Sequence, residues 1–189
     1  MENMPVFVPA LTLALETGLV SAVIVERTSE SDNEYRQLSA KIIKIAQPRH
    51  CATILHDSPN LVAQLGADGV HISSGHENFM AATKLLKPNF IVGAGNVRSR
   101  HQAMLAGEAG ADYICFGSVK GADSVEIDLA RWWSELFQTP CVIFDQRSDP
   151  LEITRPPAEY LGLGQNLWDF DKHPGETLLK TVGNIGIHG

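Results

Sequence analysis

Cysteine is scarce in this sequence, and its placement excludes two common classes of small protein. The 189 residues contain three cysteines, Cys51, Cys115 and Cys141, and each lies inside a short apolar run. Their spacing suits neither a zinc site nor a disulfide framework. Because an unpaired cysteine behaves as a small hydrophobic residue, we expect three reduced core thiols in a cytoplasmic protein.

Long apolar runs and an excess of basic residues are also missing. No stretch approaches the length of a membrane-spanning helix, and the amino terminus lacks the basic-then-apolar pattern of a secretion signal. The net charge is -7 at pH 7, which argues against nucleic acid and anionic membranes as partners. Hydrophobic residues make up 44% of the chain, as is ordinary for a globular domain. We therefore expect residues 1–189 to form one domain.

One short pattern occurs twice and organises the chain. Residues 66–68 (Gly-Ala-Asp) follow a helical apolar pattern and precede the apolar run 69–72, and residues 110–112 precede the run 113–116 in the same way. Each copy predicts a helix end, a tight turn, a buried strand and a small polar loop. A common turn would explain one copy, whereas two copies in matching context indicate a βα repeat and a parallel sheet.

Eight strand-like runs alternate with helical patterns. They cover residues 5–8, 21–25, 51–55, 69–72, 90–94, 113–116, 141–144 and 160–163. This order predicts an α/β fold, a compact closed (β/α)8 TIM barrel. Pro156 and Pro157 forbid a normal helix interior, so a degraded helix is expected between strands seven and eight. An open doubly wound sheet is the alternative, although the glycine-rich phosphate fingerprint usual after its first strand is missing.

Ligands of such a barrel bind at the carboxyl ends of the strands. The residues at the predicted strand ends are therefore the candidate site: Glu26, Arg27, His56, Asp57, His71, Ser73, Asn96, Arg98, Ser118, Lys120, Asp145, Arg147, Gly162 and Gly164. Cations mixed with carboxylates favour a small anionic or phosphorylated ligand. Loop ends are polar by default, so some of these residues are expected to be solvated surface. His71 ends an apolar strand and is either a satisfied, half-buried histidine or a functional imidazole.

A family resemblance rests on three strings. Residues 66–72 (Gly-Ala-Asp-Gly-Val-His-Ile), preceded by 55–57 (Leu-His-Asp) and followed by 110–117 (Gly-Ala-Asp-Tyr-Ile-Cys-Phe-Gly), resemble the thiamine-phosphate synthase and thiazole tautomerase superfamily. The resemblance covers most of the chain from Ser21 to Leu163 and implies a (β/α)8 barrel. The synthases join a hydroxymethylpyrimidine pyrophosphate to a thiazole phosphate, with magnesium, and release pyrophosphate. The tautomerases aromatise a thiazole phosphate precursor without a metal.

The match to the family's site residues is partial. The family's third-strand Asn-Asp pair falls on His56 and Asp57, so Asp57 is the implied magnesium ligand that the match keeps. The family's Leu-Gly-Gln-Glu-Asp, which supplies a second carboxylate, is replaced by residues 72–77 (Ile-Ser-Ser-Gly-His-Glu). The pyrophosphate loop after strand six and the Gly-Gly phosphate turn after strand seven are replaced by residues 119–124 and 145–147. The scaffold therefore resembles the family more than the site does.

These observations leave different classes of function open. The resemblance implies an enzyme of thiamine metabolism, with Asp57 and His71 as catalytic residues, cations holding a phosphate, and magnesium at Asp57 as an open question. The alternative is a phospho-ligand-binding or regulatory barrel that has lost turnover, as a monomer or a homo-oligomer. A sugar-phosphate aldolase is a weaker alternative, suggested by residues 93–97, because Lys120 lies beyond strand six rather than on it.

Overall fold

The computed structural model describes residues 4–27, 31–122, 124–145, 156–168 and 173–186. The strands are β1 (Ala22–Val25), β2 (Ala52–His56), β3 (Gly69–Ile72), β4 (Ile91–Val97), β5 (Tyr113–Phe116), β6 (Cys141–Asp145) and β7 (Tyr160–Leu163). The helices are α1 (Met4–Glu16), α2 (Asp32–Ala46), α3 (Val62–Leu65), α4 (His76–Leu86), α5 (Arg100–Glu108), α6 (Ser124–Leu136) and α7 (Pro174–Ile185). Short 3₁₀ turns cover Gln47–Arg49, Pro59–Leu61 and Gln165–Trp168.

The seven strands form one parallel sheet in sequence order. Each strand pairs with the next in parallel, as where His56 of β2 lies opposite His71 of β3. The carboxyl ends of all seven strands therefore lie along the same edge of the sheet. The parallel α/β architecture and the strands predicted from residue 21 onward are confirmed, and the sheet curls into a half-barrel.

The predicted first strand is wrong, because residues 5–8 belong to α1. Tertiary packing favours the helix: Phe7 contacts Trp168 edge-to-face with ring centroids 5.1 Å apart, and Leu11 and Leu15 are buried in the core. Pro9 lies inside this helix and costs it a backbone hydrogen bond. Within the described residues the sheet has seven strands, with β1 and β7 at its edges, rather than eight in a closed barrel.

Helix α1 joins the two ends of the curled sheet through its side chains. It packs against both α2 and α7, the neighbours of β1 and β7. Ala14 forms a small buried cluster with Leu167 and Leu178, and Leu163, at the end of β7, and Val20, just before β1, pack against this cluster. At Gly175 of α7 a Cβ atom would lie 2.9 Å from the Leu13 carbonyl oxygen, so the two helix backbones approach closely. The helical layer thus connects the two edges that the strands leave unpaired.

The repeated Gly-Ala-Asp turns tie neighbouring strands together at their amino ends. Asp68 accepts a hydrogen bond from the backbone N–H of Thr53 at 2.7 Å, and Asp112 accepts one from the N–H of Val92 at 2.7 Å. Glu159 does the same for Cys141 of β6, also at 2.7 Å. Each carboxylate satisfies an N–H group at the start of the preceding strand. Because ligands bind at the opposite, carboxyl ends, the repeat is a structural device.

The three cysteines are buried and unpaired, as predicted. Burial raises the pKa of Cys51 to about 11, with the Asp68 charge adding to the effect. Burial likewise raises the pKa values of Cys115 and Cys141 to about 12. All three are therefore neutral thiols at neutral pH and have little nucleophilic character.

Two helix starts are defined by local contacts. A serine followed three residues later by glutamate predicts a capping box, which Ser31 and Glu34 form at the start of α2. Helix α6 begins at Ser124, and within it Asp128 pairs with Arg131. The predicted degraded helix falls largely on residues 146–155, outside the described residues. None of the described helices combines the length and apolar character needed to cross a membrane.

Candidate functional site

A layer of rings crosses the sheet from the carboxyl ends of β2 and β3 to Tyr113, the first residue of β5. The rings of His56 and His71 have centroids 5.7 Å apart. His71 stacks on Tyr113, with centroids 5.8 Å apart and an interplanar angle of 17°, and Nδ1 of His71 lies 2.9 Å from the Tyr113 hydroxyl. Val70 and Ile114 belong to the main hydrophobic core. Because side chains alternate along a strand, His71 and Tyr113 project from the other face of the sheet.

Two glycines of β4 make room for this layer. A Cβ atom at Gly93 would lie 1.9 Å from Cζ of Tyr113, and one at Gly95 would lie 2.2 Å from Nε2 of His71. Both distances are far below van der Waals contact. Strand β4 therefore contributes bare backbone beneath the rings, and a side chain at either glycine would displace them.

His71 is almost completely buried, with 1% of its surface exposed. Burial lowers the pKa of His71 to about 4; the nearby His56 lowers it further, and the Asp57 charge opposes them. Burial raises the pKa of Tyr113 well above its ordinary value of 10.0. Both side chains are thus neutral at pH 7, and the ring layer forms an uncharged floor below the strand ends.

Asp57 stands immediately after β2 and organises the exit of β3. Its carboxylate accepts hydrogen bonds from the backbone N–H and the hydroxyl of Ser73, at 2.9 and 2.8 Å. It accepts two more from the N–H and the hydroxyl of Ser74, at 3.3 and 2.8 Å. Burial raises the pKa of Asp57, but these hydrogen bonds and the nearby His56 outweigh it and hold the pKa below its ordinary value of 3.8. Asp57 is therefore an ionised acceptor in a dense hydrogen-bond network.

His56 is tied into the same network through Ser73. Its Nε2 lies 2.7 Å from the Ser73 hydroxyl oxygen and 3.4 Å from a carboxylate oxygen of Asp57. Since the single hydroxyl proton of Ser73 is donated to Asp57, Nε2 of His56 must be the donor to Ser73. Its other ring nitrogen, Nδ1, is buried and has no hydrogen-bond partner among the described residues.

This network does not fit a resident magnesium ion. Magnesium takes hard oxygen ligands whose lone pairs are free to coordinate it, whereas the oxygens of Asp57 already accept four hydrogen bonds. In the part of the chain that the structure describes, no three His, Cys, Asp or Glu side chains cluster closely enough to hold a metal. The carboxylate that the sequence singled out is thus used for hydrogen bonding to a turn.

Arg98 follows the end of β4 and presents an exposed guanidinium. Its Nε donates to the Asn96 side-chain oxygen at 2.9 Å and lies 3.7 Å from a carboxylate oxygen of Glu126. Asn96 has a positive φ of 54°, at an irregularity in the β4–β5 pairing. The Arg98 side chain is 61% exposed, and its two terminal amino groups donate to none of the described residues. The guanidinium is held by its inner nitrogen, and its outer edge is left accessible.

Glu126 is a site residue that the sequence analysis missed. Its side chain is 6% exposed, and it lies against Gly117, where a Cβ atom would be 2.5 Å from Oε2. Gly117 has a positive φ of 75°, as expected of a glycine that ends a strand in a tight turn. The signal was an acidic residue in the first turn of the helix after β5, a place that favours negative charge.

Lys120 lies in the turn after β5. Its backbone N–H donates to the Ser118 hydroxyl at 3.1 Å, and Ser118 forms a bridge with Gly121. Lys120 itself is exposed. Since it lies on a surface turn rather than within a strand, it lacks the buried environment that activates a Schiff-base lysine.

Arg27, at the exit of β1, is engaged in local contacts. It pairs with Asp32 of α2, donates to the Ser58 hydroxyl at 3.3 Å, and lies over the Tyr35 ring at 5.3 Å. Its neighbour Glu26 is exposed. Arg27 thus braces the exit of β1 against α2.

The remaining candidates lie toward β6 and β7. Gly162 lies within β7, where a Cβ atom would be 2.5 Å from the Phe144 ring, so its contact is with the strand beside it. Gly164 follows the end of β7. Asp145 ends β6, and its side chain lies outside the description, as does Arg147 entirely. The structure therefore brings together the candidates at the ends of β2 and β3, and it links Arg98 to the turn after β5 through Glu126.

A family profile and individual proteins of similar sequence match this chain. The sequence profile of the family described as "Thiamine monophosphate synthase" matches residues 4–144. The thiamine-phosphate synthase of Rhodospirillum centenum is 30% identical over 177 residues, which cover 89% of this chain and 85% of that protein. The thiamine-phosphate synthase of Erythrobacter litoralis is 32% identical over 180 residues, which cover 88% and 84%.

A solved structure shares the fold. The thiamine phosphate pyrophosphorylase from Pyrococcus furiosus superposes with a TM-score of 0.72 over 95% of this chain and 91% of that one, at 21% sequence identity. Use of magnesium by a protein with these relatives is compatible with the matches, although the oxygens of Asp57 are occupied by hydrogen bonds. The profile match spans most of the chain and the relatives match it along most of their length, so this protein belongs to the thiamine monophosphate synthase family, which supports a role in thiamine biosynthesis.

Proposed function

We propose that this protein binds a thiazole phosphate and a pyrimidine pyrophosphate at the carboxyl ends of its strands and couples or processes them as a thiamine-phosphate-synthase-like transferase. The observation that carries the proposal is the geometry of Arg98. Asn96 holds its Nε at 2.9 Å, while the outer edge of the guanidinium remains accessible. An arginine held in this way can donate two parallel hydrogen bonds to a phosphate.

The charge around Arg98 supports an anionic ligand. The chain carries a net charge of -7, yet Arg98 and Lys120 stand at the ends of the adjacent strands β4 and β5. Lys120 is exposed, and the turn that carries it begins at Gly117, which packs against Glu126. Two cations on neighbouring strand ends can neutralise the multiple charges of a phosphate or pyrophosphate.

The floor beneath the strand ends supports a ring-containing ligand. His71 and Tyr113 are neutral at pH 7, because burial shifts both pKa values away from ionisation. An uncharged layer of rings suits the flat heteroaromatic part of a thiamine precursor. The packing of α1 against both α2 and α7 favours a barrel-like closure around this floor, and the buried, unpaired thiols favour a cytoplasmic location.

The test is a coupling reaction with matched variants. The protein is incubated with hydroxymethylpyrimidine pyrophosphate and thiazole phosphate, with and without magnesium, and thiamine phosphate is measured by mass spectrometry. Arg98→Met should weaken the use of phosphorylated substrate by about ten- to one-hundred-fold, since a hydrogen bond to a charged group contributes about 1.5–3 kcal/mol. Arg131→Met is the control, because Arg131 is exposed and pairs with Asp128 on α6.

A second function, ligand binding without turnover, is favoured by the engagement of Asp57. A synthase must neutralise the departing pyrophosphate, and the hydrogen bonds to Asp57 leave it unsuited to hold a cation for that purpose. Calorimetric binding of thiazole phosphate that depends on Arg98, with no product at high protein concentration, would establish the binding protein. Product formation would establish the enzyme, and absence of both would refute the proposed site.

A further inference from the structure

We propose that the Asp57 carboxylate holds the Ser73–Ser74 turn through its hydrogen bonds, so that a ligand at the carboxyl ends of the strands binds without a divalent cation on Asp57. The phosphorylated ligand in this inference rests on the proposed function, whereas the metal test below does not. The inference concerns a residue that the family resemblance singles out for magnesium, and the geometry assigns it a different task.

Both oxygens of the Asp57 carboxylate face hydrogen-bond donors. Oδ1 accepts from the N–H of Ser73 and from both the N–H and the hydroxyl of Ser74. Oδ2 accepts from the hydroxyl of Ser73 and lies 3.4 Å from the donor nitrogen Nε2 of His56. Each donor presents a positive hydrogen to the oxygen. A cation at the same oxygens would repel these hydrogens and would have to displace them.

The residues that directly follow β3 give Asp57 serine donors in place of a second carboxylate. Residues 72–77, where the resemblance implies a second carboxylate, read Ile-Ser-Ser-Gly-His-Glu. Ser73 and Ser74 in that string are the donors to Asp57. The first acidic residue after β3, Glu77, is exposed in the first turn of α4. Across the described residues no cluster of three potential ligands surrounds Asp57.

The hydrogen bonds of Asp57 connect the residues that follow β2 with those that follow β3. The N–H of Asp57 donates to the His71 carbonyl oxygen at 2.9 Å, and Asp57 adopts a positive φ of 44°, which is uncommon for a residue other than glycine. Its carboxylate then fixes Ser73, and Ser73 fixes Nε2 of His56 at 2.7 Å. The carboxylate therefore joins the exits of β2 and β3, and the positive charge for a phosphate comes from Arg98 and Lys120.

The metal test uses Mn²⁺, a paramagnetic substitute for magnesium, alone with the full chain. Electron paramagnetic resonance should show the same free-ion signal with wild type and with Asp57→Asn at equal submillimolar concentrations. An immobilised Mn²⁺ signal in wild type that Asp57→Asn removes would overturn the inference. Asp57→Asn should also lower the melting temperature without metal, because the amide group replaces one acceptor by a donor.

A second variant keeps the inference testable if Asp57→Asn does not fold. Ser74→Ala removes a single hydroxyl donor from Oδ1 and leaves the N–H bonds in place. The inference predicts a lower melting temperature for Ser74→Ala than for wild type, with or without added magnesium. If wild type gains several degrees from magnesium and Ser74→Ala gains no less, the metal binds in spite of the serines and the inference fails.

The ligand test separates this inference from the proposed function. Binding of inorganic phosphate is followed by phosphorus NMR in EDTA and in magnesium, for wild type and Arg98→Met. The inference predicts equal affinity in both buffers, with a loss in Arg98→Met. Binding that requires magnesium and Asp57 overturns the inference and leaves the phosphate site standing. Binding that is unaffected by Arg98→Met overturns the proposed function, while the Mn²⁺ experiment still decides the role of Asp57.

Discussion

The buried, neutral state of His71 predicts how stability depends on pH. His71 is 1% exposed, and its pKa is lowered to about 4, first by burial and then by His56. In the unfolded chain it recovers its ordinary value of 6.5. Between these two values the unfolded state binds the proton and the folded state does not, so protonation favours unfolding.

The sign and the size follow from this difference. The contribution of His71 is fully present above about pH 6.5, declines as the pH falls, and is lost below about pH 4. The two pKa values correspond to about 3 kcal/mol of unfolding free energy, against a total of about 5–15 kcal/mol for a typical domain. Asp57, whose pKa lies below its ordinary value of 3.8, loses its contribution only at still lower pH. The window between about pH 4.5 and about pH 6.5 therefore reports mainly on His71.

Urea unfolding, followed by tryptophan fluorescence across this window, measures the effect. Wild type should lose unfolding free energy steadily as the pH falls, whereas His71→Gln should show a shallower slope, because glutamine does not titrate. Equal slopes in the two proteins would refute the reasoning. NMR titration of the wild-type imidazole provides a check if the variant is unstable, and a His71 signal that titrates near pH 6.5 would also contradict the account.

Three further predictions concern the same framework. Gly95→Ala places a Cβ atom 2.2 Å from His71 and should cost about 1–3 kcal/mol of unfolding free energy. The control is Gly183→Ala, where nothing lies within 4 Å of the added Cβ atom, and it should be neutral or stabilising. Equal melting temperatures for the two variants would contradict the packing of the rings against β4. Asp68→Ala removes the acceptor of the Thr53 N–H and should lower the unfolding free energy, measured in urea, by about 1.5–3 kcal/mol. Asp128→Ala breaks an exposed ion pair with Arg131 and should lower it by less than about 1 kcal/mol. Equal losses in the two variants would show that the Gly-Ala-Asp repeat has no structural role. Ellman's reagent should label no cysteine in the native protein at neutral pH and three after denaturation, and rapid native labelling would contradict the burial.

Much of the fold could be predicted because local signals and tertiary packing agree. Residues 66–68 carry the glycine needed for a positive φ of 73° and an aspartate that caps the preceding strand, so the pattern encodes both turn and contact. At residues 5–8 the signals disagree. Valines and phenylalanine favour a strand, but contacts that exist only in the folded protein, such as Phe7 with Trp168, favour the helix.

The places of the candidate residues along the sheet could be predicted better than their contacts, and their role in ligand binding stays a prediction. The exits of β2, β3, β4 and β5 do carry the polar residues that the sequence singled out. The state of Asp57 could not be predicted, since it depends on donors from Ser73 and Ser74 across a strand pair. Glu126 was missed for a similar reason, because its contact with Gly117 requires α6 to begin at Ser124.

The central claim is that Arg98 and Lys120 hold a phosphorylated ligand at the carboxyl ends of the strands, without a cation on Asp57. A crystal structure of the protein soaked with inorganic pyrophosphate in the presence of magnesium tests it most directly. The account predicts the anion against Arg98 and Lys120, with Asp57 still accepting hydrogen bonds from Ser73 and Ser74. Pyrophosphate bound through a magnesium ion on Asp57, or bound away from β4 and β5, would contradict it.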